Sequence, residues 1–150
     1  MDRKAATLAR LRDYKGMKTA LKSLRHQMRI LKLQQQYICG ARTDRLAVMN
    51  GLYQPEDWMV DSVLRQQELE MALEETELWL KVTEQAFGTL EPAEQTILQQ
   101  LYMQKSPGVM DRLCQMLQAE KSTIYRRRDK ALDKLALALY GAAPGKTEER

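Results

Sequence analysis

Lys121-Ser122-Thr123-Ile124-Tyr125-Arg126-Arg127-Arg128-Asp129-Lys130 is the stretch of this chain densest in groups that could do chemistry. Successive helical residues advance by about 100°. With Ile124 centred on a buried face, Arg128, Ala131 and Leu135 fall within about 40° of it. Thr123, Arg126 and Lys130 then turn outward, with Tyr125 and Arg127 at opposite edges. Such a face suits double-stranded DNA, because short polar groups at a helix start allow close approach and guanidinium forks match guanine edges and phosphates. The candidate contacts are Ser122, Thr123, Tyr125, Arg126 and Arg127, with Lys121 and Lys130 as phosphate partners. The plain alternative is a solvated basic face, which any exposed helix can carry. Arg128 is the one cation turned inward. An unpaired guanidinium there would be costly, so a carboxylate partner, Glu94 or Asp111, or a snorkelled head at the domain edge is expected.

Position favours the DNA reading over a solvated face. Met110, Leu113, Cys114 and Leu117 are apolar at helical spacing, and Ser122 is suited to cap a second helix through Ile124, Ala131, Leu132, Leu135 and Leu139. A short helix, a tight connection and a longer basic helix make a helix-turn-helix. Cys114 supplies the small residue where the two helices cross, and Ile124 the apolar anchor early in the second. The turn carries Gln118 where glycine is frequent, so Gln118 must tolerate the turn geometry. Upstream, Pro92 opens a helix with Glu91 as its cap, Glu94 in its first turn and Ile97, Leu98 and Leu101 on its apolar face. Ser106-Pro107-Gly108 forms a turn.

Leu90-Glu91-Pro92-Ala93-Glu94, Ile97-Leu98, Met110 to Leu117, Lys121 to Arg128 and Lys130-Ala131-Leu132 together resemble region 4 of sigma-70-type factors. They are especially similar to the sigma-like ArpU family of phage and prophage transcriptional regulators. The match covers residues 88–140. The first 87 residues share only a helical character with that family, and no stretch resembles a promoter-melting region. The resemblance implies a DNA-binding regulator, with RNA polymerase as a further partner, rather than a complete sigma factor.

The elements upstream are long helices. Tyr14, Met17, Leu21, Leu24, Met28, Leu31, Gln35 and Ile38 alternate by three and four, an a/d heptad pattern with one polar position at Gln35. This predicts a helix from Asp2 to Ile38, with Gly16 weakening its start. A connector, Cys39 to Pro55, holds one short helix over Asp44–Met49. A second long helix starts near Pro55–Asp57 and stops at Gly88. Leu64, Met71, Leu78 and Val82 make one stripe on it, and Leu69, Leu73, Leu80 and Phe87 an adjacent one. The resulting apolar face is wider than a two-helix seam needs. Charge is polarised along the chain: residues 1–46 carry twelve basic and three acidic side chains, and residues 47–98 two basic and eleven acidic. A basic and an acidic helix of similar length read as an antiparallel hairpin, while a dimeric bundle of the same surfaces is equally allowed.

The expected architecture is therefore all-α. Long N-terminal helices over 1–87 form a hairpin or coiled-coil arm for oligomerisation or partner binding. A helix-turn-helix domain spans 88–140, and a disordered Gly/Ala/Pro and charged tail spans 141–150. With 44% apolar residues the chain can build a core, and no apolar run is long enough to span a bilayer. Two cysteines, Cys39 and Cys114, and one histidine, His26, lack the spacing of a zinc site or a nucleophile pair, and no cofactor is expected. Gly145-Lys146-Thr147 echoes a phosphate loop, but Gly141 stands one residue too close and no strand precedes it. The expectation is a cytoplasmic, non-enzymatic, sequence-specific DNA-binding regulator of phage or prophage genes, monomeric or homodimeric. Two alternatives fit the same residues. One is a small terminase subunit recognising packaging-site DNA, separable by a ring-shaped oligomer. The other is a polymerase-binding module that never touches DNA, separable by salt-dependent DNA binding.

Overall fold

The computed structural model describes residues 2–40 and 55–142, and these fold entirely as helices and their connections. The short helix expected over Asp44–Met49 and most of the expected tail lie outside them. The elements are α1 (Arg3–Gly40), α2 (Pro55–Gly88), α3 (Pro92–Leu98), a π-helical turn continuing it (Gln99–Met103), α4 (Val109–Leu117) and α5 (Lys121–Tyr140). The all-α expectation holds, with both long helices present. The chain divides into two compact units, Lys18–Leu78 and a second one formed by the chain up to Met17 and from Trp79 onward.

The Lys18–Leu78 unit pairs α1 and α2 antiparallel within one chain. Met28, Leu31 and Leu69 are its buried core, with Leu24 and Leu73 packed around them. The polar heptad position is satisfied across the seam, since Gln35 Nε2 donates to Ser62 Oγ at 2.8 Å and to Gln66 Oε1 at 3.0 Å. Arg25 and Glu77 join the basic and acidic helices at 3.3 Å, both half exposed.

The buried stripe of α2 differs from the width expected. Leu69, Leu73, Leu80 and Phe87 pack inward, but Leu64, Met71, Leu78 and Val82 are exposed. The second half of the seam is made instead by Ser62, Thr76 and Thr83, seven residues apart in step with Leu69 and Leu90. A buried hydroxyl is inexpensive when it is already bonded, and Thr76 and Thr83 each donate to the carbonyl four residues back, at 2.7 Å. A pattern read from large apolar residues alone passes over them.

The other unit has two adjoining cores. Ile97, Val109, Leu113 and Ile124 join α3, α4 and α5, with Cys114 and Leu117 packed against them. Leu11, Ala86, Leu90, Leu98, Ala131, Leu132 and Leu135 join the start of α1 and the end of α2 to α3 and α5. Residues assigned by sequence to the arm thus contribute to the core beneath α5. Thr7 and Leu11 extend the α1 stripe below Tyr14. Arg10 fastens the same turns to α2: it donates to Thr83 Oγ1 at 2.6 Å and to the Trp79 carbonyl at 3.0 Å, and stacks 4.5 Å from the Trp79 ring centre.

Candidate nucleic-acid interface

Gly108, in the left-handed region with φ of 70°, starts α4, a conformation that glycine adopts without strain. Arg112 braces the preceding turn by donating to Ser106 Oγ and to the Pro107 carbonyl. At the far end Gln118 takes φ 49° and ψ 47°, the only non-glycine residue with positive φ among those described. The sequence expectation that Gln118 must bear the turn geometry is met literally. Its left-handed backbone reverses the chain, and the Ala119 N–H closes the turn on the Cys114 carbonyl at 3.2 Å.

α5 then begins two residues earlier than expected. Glu120, in extended geometry, is the capping residue, and Ser122 lies at the second helical position rather than at the cap. The left-handed Gln118 completes the reversal so quickly that the chain re-enters a helix at Lys121. Glu120 makes no side-chain cap bond, but its negative charge suits the positive end of the helix.

Ile124, Ala131, Leu132 and Leu135 form the buried back of α5. Opposite them, Lys121, Ser122, Tyr125, Arg126, Arg127 and Lys130 are exposed and Thr123 is half buried. All seven sequence-predicted contacts therefore lie on the first three turns of one helix, six of them clear of its packed side; Thr123, expected to turn outward, is half buried because it sits only about 100° from Ile124. Cys114 is half buried against the core containing Ile124, as the helix crossing requires.

Arg128 is half buried, as its phase demands, but its partner is neither Glu94 nor Asp111. Nη2 and Nε donate to Asp129 Oδ1 at 2.9 and 3.2 Å, and the guanidinium lies 4.9 Å from the centre of the Tyr125 ring, one turn back. Partial burial works against its charge, yet the Asp129 carboxylate and the Tyr102 hydroxyl outweigh this and raise its pKa. The side chain curls along its own helix, where a ring and a carboxylate are both in reach, rather than crossing to α3. The same bond holds Asp129 below the ordinary carboxylate value, with Lys4 of α1 adding to the effect from 3.5 Å. Asp129 is the one acid among the first ten residues of α5, and two cations attend it.

Glu94 is taken by another residue. Only 6% exposed, it accepts a hydrogen bond from Lys134 Nζ at 2.7 Å through Oε1, while Oε2 has no partner. Lys134 keeps its stem along α5 and is held above its ordinary pKa by that bond. Sequence reasoning missed both Lys134 and Lys4, because each acts on a residue distant in the chain. Asp111 remains in the first turn of α4, where its charge favours the helix.

Among the described residues no group of three His, Cys, Asp or Glu could hold a metal ion, and no helix is long and apolar enough to cross a membrane. The chain matches no family model, no curated protein and no solved structure.

Proposed function

We propose that the chain is a cytoplasmic, sequence-specific DNA-binding transcriptional regulator of phage or prophage type, not an enzyme, with the start of α5 entering the major groove. One observation carries this reading: hydroxyls and cations from Ser122 to Lys130 face outward on the second helix of a two-helix motif whose back is fully packed. The internal neutralisation of Asp129 supports it, because from Lys121 to Lys130 the face offers Lys121, Arg126, Arg127 and Lys130 to phosphates, and the next exposed carboxylate, Asp133, comes only after them. The sigma region 4 likeness of residues 88–140 adds RNA polymerase as the second partner.

The test is binding to fluorescent duplex DNA across a salt series, followed by footprinting on the genome of origin. Each phosphate neutralised contributes about −0.9 to the slope of log affinity against log salt, so four cations predict a loss of about a hundredfold between 50 and 200 mM salt. Polymerase binding with no salt-dependent DNA binding would select the interaction module instead.

A further inference from the structure

The Lys18–Leu78 hairpin leaves a second apolar surface outside its own seam. On α2, Leu64, Met71 and Leu78 recur every seven residues at 53%, 71% and 53% exposure, with Val60 continuing the line. At about 100° per residue all four lie within about 20° of Met71. On α1, Ile30, Leu33 and Tyr37 are likewise exposed, and they line a groove of about 440 Å³ with Gln34, Ile38 and Trp58. Single exposed apolar residues need no explanation, but a heptad-spaced row does.

The charges flanking these rows identify the occupant. Asp61, Glu68 and Glu75 border the α2 row within about 80° on one side, and Glu74 lies about 60° away on the other. Two α2 rows packed together would oppose acid to acid. The α1 row is bordered instead by Lys22 and Arg29, within about 40° of Leu33. Residues 18–40 carry five basic and no acidic side chains, while residues 55–78 carry eight acidic and one basic. The complement of each row is therefore the other row, on a second copy of the chain.

We propose that two copies associate through these outward rows, α1 of each against α2 of the other, forming a closed symmetric dimer. Reciprocal exchange satisfies both rows in both copies, the condition for a self-complementary two-fold interface. The inference is independent of the DNA reading, since every residue it uses lies in the Lys18–Leu78 unit.

Sedimentation velocity of the full chain without DNA, from 1 to 100 µM and at low and high salt, tests it. The expected result is a dimer that weakens with salt. Met71→Lys and Leu33→Glu should each raise the dimer Kd at least tenfold, with parental circular dichroism, since both side chains are at least half exposed; Leu64→Lys replaces Met71→Lys if the latter misfolds. An equimolar mixture of the two variants should dimerise again, because a mixed dimer keeps one contact native and sets Glu against Lys in the other. A parent monomeric at 100 µM overturns the proposal. So does a dimer indifferent to Met71→Lys, one broken by Met71→Lys but not by Leu33→Glu, or a variant mixture that stays monomeric.

Discussion

Arg126 and Lys130 share the outward face of α5 but differ in what they can read. A guanidinium can grip two acceptors of one base edge, whereas an ammonium is a point charge. Arg126→Ala is expected to cost about 1–3 kcal/mol of binding and to relax specificity at one base position, while Lys130→Ala weakens all sequences alike and lowers the salt slope by about 1. Anisotropy titrations on specific and scrambled duplexes check both. Asp129 supplies a prediction in pH. Because its carboxyl is held below the ordinary value by Arg128 and Lys4, its stabilising contribution is complete above about pH 4 and vanishes as pH falls through the depressed value. Asp129→Asn should therefore lower Tm at pH 7 and flatten the decline of Tm below about pH 4, as thermal melts across that range would reveal. Lys134→Met should lower Tm more than Lys130→Met, since the former strands the buried Glu94 carboxylate and the latter strands nothing. At this scale the sequence made the outward residues of α5 legible, because helical phase alone decides them. It did not reveal the partner of Arg128. Which carboxylate a long side chain reaches depends on rotamers and on neighbours brought in from α1 and α3.

Helix ends and seams obey coarser rules. The turn between α4 and α5 is built on a residue poorly suited to it, since a left-handed backbone costs an L residue about 1–2 kcal/mol. Gln118→Gly should raise stability by about 0.5–1 kcal/mol after the greater freedom of glycine in the unfolded chain is offset, and Gln118→Val should lower it, as read by urea melts. In the hairpin, Leu31 is one of the three buried apolar residues of the core among the described residues, so Leu31→Ala should cost about 2–4 kcal/mol, visible as lost helicity on mild heating. The α1 heptads were plain because large apolar residues mark them. The α2 seam was half hidden because Ser62, Thr76 and Thr83 hold core places with hydroxyls that are already bonded. The π-helical turn after α3 was also hidden. Its bond from the Gln104 N–H to the Gln99 carbonyl, at 2.7 Å, follows from no local signal and meets the demands of packing on either side.

For the molecule as a whole, the helix-turn-helix unit is completed by the opening turns of α1. A chain beginning at residue 88 would lack Leu11 and the Ala86 contact and would expose Ala131, Leu132 and Leu135. Such a fragment is expected to melt well below the full chain and to bind a hydrophobic dye, whereas rejoining residues 2–17 and 79–87 restores a cooperative transition. This discontinuity also sets an order of events during synthesis. Leu11 leaves the ribosome about 120 residues ahead of the α5 side chains that bury it, several seconds at ordinary elongation rates. Until then Leu11 has only Ala86, Leu90 and Leu98 of its core, without Ala131, Leu132 and Leu135, and Asp129, which Lys4 will pair with, has not been made. A chain whose translation stalls before α5 therefore displays Leu8 and Leu11 to chaperones and proteases. Only a product translated through α5 can cover them fully, so the fold carries its own check that the basic helix has been made.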